Sequence, residues 1–209
     1  MKNRQLIILG FGGHARSVAD LALACGYKNL IFVDSNAREN EHFLGHPVLA
    51  TLDIIALDCD VFSGAGDNVR RQQQFQEMAL LGLTPTTLVS PRASIGVGAT
   101  LGAGTFVGHH AHIGPMAEVA QGCIINTGAI IEHEAKVGAH SHVSVNATIA
   151  GRSSLGTLSM LGAGATIIDG VEVGDRIMIG AGAIVHRSIS IPGTYAGVPA
   201  KKLFSAHKI

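Results

Sequence analysis

The chain reads as an α/β domain built on parallel βαβ units, followed by an all-β parallel β-helix and a short carboxy-terminal cap. Three observations predict this. An aliphatic residue recurs at every sixth position from Val89 to Val185, always Ile, Leu or Val. A small residue stands four places after most of them, as at Ala93, Ala99, Thr105, Ala111, Ala117, Cys123, Ala129, Ala135, Ser141 and Ala147. Residues 1–84 instead alternate short apolar runs with helix-forming stretches, punctuated by Gly10-Phe11-Gly12-Gly13-His14 and Gly64-Ala65-Gly66-Asp67-Asn68. A helix needs a period of about 3.6 and a half-buried strand a period of 2. A period of six fits a coil that turns a corner every six residues, and hexapeptide repeats mark a β-helix.

Taken in order, residues 6–9 form a buried strand and Gly10 to His14 a turn. Residues 15–24 form a helix, with Gly26 as its stop signal. Residues 29–33 form a second strand ending at Asp34, and 61–63 a third, followed by a polar helix over 68–81. Alternating strands and helices build a parallel sheet with right-handed crossovers. Ligands of such sheets sit beyond the carboxyl ends of the strands, where Gly12, Gly13, His14, Asp34, Gly64, Asp67 and Asn68 fall. Pro85 and Pro91 bracket the passage into the repeats, which occupy 85–190. Three hexads make one coil, so residues eighteen apart stack at about 4.8 Å per layer, giving five full coils and a remainder. Each inner aliphatic side chain contributes roughly 1.5–3 kcal/mol by burial. Glycine at the second or fourth place of many hexads permits tight corners. Residues 191–209 form a turn-rich cap over the open last coil.

The formal net charge is zero and charged residues make up only 14%. That argues against nucleic acid or an acidic membrane as partner and suits coils that present flat faces to one another or to partner chains. Three widely spaced cysteines form no metal-type or redox-type pair, which fits a reducing, cytoplasmic compartment. Residues 1–5 lead into a short apolar run ending at Gly10, so neither a signal peptide nor a membrane span of about 20 residues is expected.

Ile125-Asn126-Thr127-Gly128-Ala129-Ile130-Ile131-Glu132-His133-Glu134 falls mid-helix, followed by Gly138-Ala139-His140-Ser141-His142-Val143-Ser144, and the chain closes with Gly197-Val198-Pro199-Ala200-Lys201. With the glycine-rich first domain, these motifs resemble the sialic acid O-acetyltransferase/sugar acetyltransferase family of hexapeptide-repeat acyltransferases. The resemblance covers essentially the whole chain. It is closest to the branch that N-acetylates UDP-linked 4-amino sugars such as the bacillosamine precursor. It implies a left-handed β-helix, a Rossmann-like first domain that receives the nucleotide-sugar, a homotrimer, and acetyl-CoA as co-substrate with no metal. It also implies no direct membrane insertion, and it allows association with, or fusion to, a membrane sugar-phosphate transferase.

The resemblance assigns roles residue by residue. His133, at the third place of its hexad between Pro115 and Gly151, becomes the general base, and an imidazole titrating near neutrality suits the task. Glu134 supports the imidazolium, as a carboxylate does in a catalytic triad; both residues interrupt places read as small on neighbouring coils. Asn126 holds substrate or base. The Gly151 N–H is the candidate oxyanion donor, with Ala163 and Gly180 flanking the pantetheine arm along the same face. His142 lies close to cofactor or substrate, and Lys201 and Lys202 meet the coenzyme A phosphates. The glycine-rich turn offers N–H groups to the nucleotide phosphates, although it lacks the final glycine of a dinucleotide fingerprint, Arg16 following at the next registers. Asp34 takes uridine or ribose hydroxyls; Gly64, Asp67 and Asn68 read the base or the ribose; His14 reaches the sugar. Cys123 reads as core. Four functions stay open: a 4-amino-sugar N-acetyltransferase, which is favoured; an O-acetyltransferase of sialic acid or a related sugar; a metal-dependent hydratase like the carbonic anhydrases on this helix, using His109, His110 or His112; and a silent nucleotide-sugar-binding scaffold. The intact Glu132-His133-Glu134 argues against the last.

Overall fold

The computed structural model describes residues 5–52 and 59–203. The start of the chain, residues 53–58 of the first domain and residues 204–209 of the cap lie outside the described residues. The chain forms β1 (Gln5–Leu9), α1 (Gly13–Ala24), β2 (Asn29–Val33), β3 (His42–Phe43), β4 (His46–Leu49), β5 (Asp60–Ser63) and α2 (Asn68–Leu80). The sheet order is β3-β4-β2-β1-β5, with β1 parallel to both β2 and β5. Successive strands therefore depart to opposite sides of β1, which opens a crevice beyond its carboxyl end. Leu6, Ile7 and Ile8 are all fully buried, because Leu6 and Ile8 pack under α1 while Ile7 packs with Phe75 and Met78 of α2.

Two features of this domain differ from the sequence reading. Helix α1 begins at Gly13, not at residue 15, so Gly13 and His14 belong to its first turn and Gly12 is its N-cap. The hairpin of β3 and β4 carries no sequence signal, since its turn uses Leu44 (φ 51°) and Gly45 (φ 81°) where Asn-Gly or Asp-Gly is the usual marker.

From residue 88 the hexads contribute short strands, two residues long with the first outward and the second inward, except Ile177–Ile179, whose first and last residues both face inward. The strands stack in parallel into three faces of a left-handed β-helix. The first face carries Leu88–Val89, Phe106–Val107, Ile124–Ile125, His142–Val143, Met160–Leu161 and Ile177–Ile179; the second runs from Ser94–Ile95 to Ile184–Val185; the third runs from Thr100–Leu101 to Glu172–Val173. The inner aliphatics from Val107 to Val185 form one continuous core with their small partners. Ile95 of the lowest coil is 42% exposed, and so departs from the uniformly buried ladder; no described coil stacks beneath it. Cys123 is buried, and it does more than fill space. Thr105, Cys123, Ser141 and Ser159 form a column in which each side chain donates to a carbonyl one coil up, Cys123 Sγ to Gly138 O at 3.1 Å and Ser159 Oγ to Gly174 O at 2.8 Å. Burial pushes the Cys123 thiol up to about 11, so it remains a donor.

The two glycine places of the hexad have different causes. At the fourth place the backbone is left-handed from Gly98 to Gly182 whatever the residue, as at Gly128 (φ +66°) and Glu134 (φ +58°). At the second place glycine marks hexads where the next coil comes too close for a side chain in the observed backbone: a Cβ on Gly114 would lie 2.7 Å from His133 N.

The cap is not built only of turns. Gly193–Ala196 adds a parallel strand to the first face, and Lys201–Lys202 pairs antiparallel with it. Tyr195 stacks on Ile179, a step of sixteen instead of eighteen, and takes the inner position, its hydroxyl donating to Ile191 O at 2.9 Å. At the other end, the outward residues Leu88, Phe106 and Ile124 share a core with α1 and β1. The α/β domain thus sits on the lower half of the first face, and His142 is the next outward residue above it.

Candidate active site

The crevice beyond β1, β2 and β5 is an open cleft of about 630 Å³, lined by Gly12, Gly13, His14, Asp34, Gly64 and Asp67, all singled out from sequence. Asn68, the seventh, points away from it: its Nδ2 donates to Ser159 O at 3.1 Å, on the β-helix. Helix α1 presents its first turn to the cleft with no side-chain cap, so its N–H groups are free for an anion. The fingerprint's last place is filled by Ala15, not by Arg16. Ala15 is fully buried, and a Cβ on Gly64 would meet its Cβ at 2.9 Å; alanine serves the close helix–strand packing that the final position requires. Asp34 accepts from Asn36 N at 2.9 Å and from Phe11 N at 2.8 Å. The Asn36 backbone bond leads in holding its carboxyl below the usual range, against an opposing effect of burial. Asp34 therefore braces the glycine turn as well as facing the cleft.

At the corner between the first and second faces, His14 approaches the coil from above Phe106 (ring centroids 5.1 Å) and lies 6.4 Å from the His142 ring. Asn126 Nδ2 lies 3.3 Å from His142 Nε2. Burial, then the neighbouring His142 and Arg71, lowers His14 to about 3; burial, then Arg71, lowers His142 to about 4. Both rings are neutral at pH 7, and His14 Nε2 is buried with no partner among the described residues. Ala163 and Gly180 stand on this same corner, on later coils, and Lys201 pairs beside it with Ala196.

His133 occupies the corner between the second and third faces. Its Nδ1 lies 3.3 Å from Glu134 Oε2, and the side chain is 45% exposed. The ring lies against Gly151, where a Cβ would come within 2.5 Å of its Nε2. Glu134 is flanked eighteen residues away by Met116 and Arg152, both large and both left-handed, so only His133, between Pro115 and Gly151, interrupts small or compact neighbours. Arg152 in turn pairs with Asp169 at 2.6 Å.

The structure therefore divides the sequence-predicted residues into two groups. Asn126 precedes the strand Ile130–Ile131 and His133 follows it, so within one chain they sit at opposite ends of that strand. The proposed cofactor residues divide the same way: Gly151 joins His133, whereas Ala163, Gly180, Lys201 and His142 lie with Asn126, and not along one face as the sequence suggested. The histidines that raised the zinc reading have separate partners, His109 with Ser90 and Asp20, and His112 with Ser94. Sequence reasoning missed Arg71, which is 1% exposed behind the cleft. It also missed the apolar outward residues Leu88, Phe106 and Ile124, whose eighteen-residue spacing marks the docking face.

A family profile described as the PglD N-terminal domain matches residues 5–78. Among solved structures, the acetyltransferase domain of PglB from Neisseria gonorrhoeae FA1090 is 32% identical, with 96% of this chain and 100% of that one covered and a TM-score of 0.88. Its complex with acetyl coenzyme A gives 33% identity over the same coverage and a TM-score of 0.89. A variant of GDP-perosamine N-acetyl transferase from Caulobacter crescentus, in complex with CoA and GDP-perosamine, is 30% identical, with 96% of this chain and 97% of that one covered and a TM-score of 0.88. No curated protein sequence matches the chain.

Proposed function

This chain belongs to the hexapeptide-repeat sugar acetyltransferases, and from that premise we propose that it acetylates the 4-amino group of a nucleotide-linked amino-dideoxy sugar, UDP-carried, in bacterial glycan assembly. It is an acetyltransferase that takes its acetyl group from acetyl-CoA. The observation that carries the reading is the His133 corner: a half-exposed imidazole held at Nδ1 by a carboxylate, with Nε2 lying over a glycine.

In this reading Glu134 accepts from Nδ1–H and leaves the Nε2 lone pair free. The sugar amine attacks the thioester carbonyl, His133 Nε2 takes the proton the nitrogen sheds, the carbon–sulfur bond breaks, and the proton passes on to the departing thiolate. Neither Cys nor Ser stands beside His133 in the Glu132-His133-Glu134 motif, so transfer is direct. The Gly151 N–H has no backbone partner among the described residues and is placed to stabilise charge on the carbonyl oxygen. Only a small residue at Gly151 leaves room for both the ring and a thioester. The cleft of residues 1–84 holds the nucleotide, with its diphosphate at the start of α1 and its ribose at Asp34. That tether makes the encounter of amine and base effectively intramolecular.

The separation of Asn126 and His133 supports a homotrimer in which the His133 corner of one protomer meets the Asn126, His142 and His14 corner of its neighbour. Among the described residues no helix is long and apolar enough to cross a membrane; a cytoplasmic enzyme, working beside or fused to a membrane sugar-phosphate transferase, is part of the proposal. The test is acetyl transfer followed by thiol release, offering UDP- and GDP-linked 4-amino-4,6-dideoxy sugars, a UDP-linked 4-hydroxy counterpart and free sialic acid. Release with the UDP-amino sugar alone is expected. Release with the GDP form reassigns the nucleotide; release with only the hydroxy sugars or sialic acid overturns N-acetylation.

A further inference from the structure

Arg71 is a buried cation that forms no contacting ion pair among the described residues, although the charge of Asp67, the N-cap of α2, favours it at longer range. Its Nε donates to Gly122 O at 2.7 Å, its Nη1 to Ala65 O and Gly66 O at 3.1 and 3.0 Å, and its Nη2 to Asn68 Oδ1 and His140 O, both at 2.7 Å. Burial lowers it only to about 10, so it stays charged. Leaving a guanidinium out of water without a carboxylate in contact is expensive unless every donor is met, and here main-chain carbonyls meet almost all of them. A surface arginine or an aliphatic side chain would join α2 to the β-helix at lower cost.

The carbonyls it gathers belong to two places. Ala65 and Gly66 form the wall of the nucleotide cleft. Gly122 and His140 stand on successive coils, and His140 lies two residues before His142. Because a trans peptide points its N–H opposite to its C=O, drawing the Ala65 and Gly66 carbonyls inward turns the N–H groups of Gly66 and Asp67 away from Arg71. Asn68 closes the clamp, accepting from Arg71 while donating to Ser159 O. The planar fork of arginine reaches separate carbonyls in fixed directions, which the single ammonium of lysine cannot do.

We infer that Arg71 is a positioning residue that fixes the nucleotide cleft relative to the coils bearing His142, and so sets where the sugar amine arrives. The inference rests on the nucleotide-sugar reading above. It is tested with the full chain, acetyl-CoA and two acceptors: the nucleotide-linked amino sugar and its methyl glycoside. In Arg71→Lys and Arg71→Met, kcat/KM for the nucleotide-linked acceptor is expected to fall about 30-fold or more, as the intramolecular advantage is lost. Free nucleoside diphosphate should bind both variants within about threefold of wild type, and transfer to the methyl glycoside should be unchanged. Asn68→Ala removes one acceptor and leaves the charge in place. It should show the same split at about three- to tenfold, and it carries the test if Arg71→Met does not fold. Equal loss with both acceptors in folded variants, or no loss, overturns the inference alone. Wild-type protein that turns over neither acceptor overturns the functional reading and this inference with it.

Discussion

Two corners of the β-helix bring histidines into different surroundings. At the first corner His14 packs edge-on against Phe106 and His142 meets Asn126, and burial lowers the two histidines to about 3 and about 4. At the second, His133 stands half exposed beside a carboxylate and over a glycine. An imidazole that stays neutral orients a ligand and accepts a hydrogen bond. One that is half exposed and held at Nδ1 by a carboxylate leaves its Nε2 open to an incoming substrate. The coil geometry is the same at both; what separates the roles is whether the α/β domain covers the corner.

The largest way to break this comparison is His133→Ala, which should lower kcat by about 100- to 10,000-fold, the range of a lost general base, with no change in assembly or melting temperature. Normal turnover would remove the second corner from the chemistry. If the two corners meet across protomers, mixing His133→Ala chains with Asn126→Ala chains should restore part of the rate that neither shows alone. Next is Gly151→Ala. Its methyl would sit 2.5 Å from His133 Nε2, and displacing the base should cost about 100-fold; an unaffected rate would show that the ring does not work from this position. Glu134→Gln keeps the shape and loses the charge, and should cost roughly 10- to 100-fold, about 1.4–2.8 kcal/mol.

The smallest effect is on stability. His14 and His142 are lowered when folded from the ordinary 6.5, so below that pH the unfolded chain binds protons that the native one refuses. Stability should be full above about pH 6.5 and decline as the pH falls toward about 4 and then 3. His142→Gln should flatten part of that decline in denaturant melts at pH 7 and pH 5. An unchanged slope would mean that the first corner is not closed in solution.

Much of the helix was legible because its interior repeats one demand: a branched aliphatic residue beneath each corner, seventeen times without slippage. The glycine turn, Asp34 and the Glu132-His133-Glu134 motif were legible because each announces its chemistry locally. The pairing of Asn126 with His142 instead of with His133 was not, since seven residues in sequence span the whole width of a face and motif proximity misleads. Ala15 fills the fingerprint's last place without being glycine, so a search for glycines alone does not reveal it. Leu88, Phe106 and Ile124 were readable in principle, as apolar residues at outward places where the other faces carry Ser94, His112, Glu118 and Lys136. Arg71 left no signal, because a charged residue on a polar helix looks solvated until the coil it faces is known.

The uninterrupted eighteen-residue repeat also limits how such a chain can change over generations. Adding or losing one whole coil leaves every face in register and moves everything above it by about 4.8 Å, so the molecule grows in fixed increments, like courses of brick. From His142 to the strand that Lys201 pairs with, the first face climbs through Met160 and Met178 to Thr194, three courses in all. Any lineage that altered that number would change the span between the neutral histidine and the terminal lysines by a whole step and by nothing smaller.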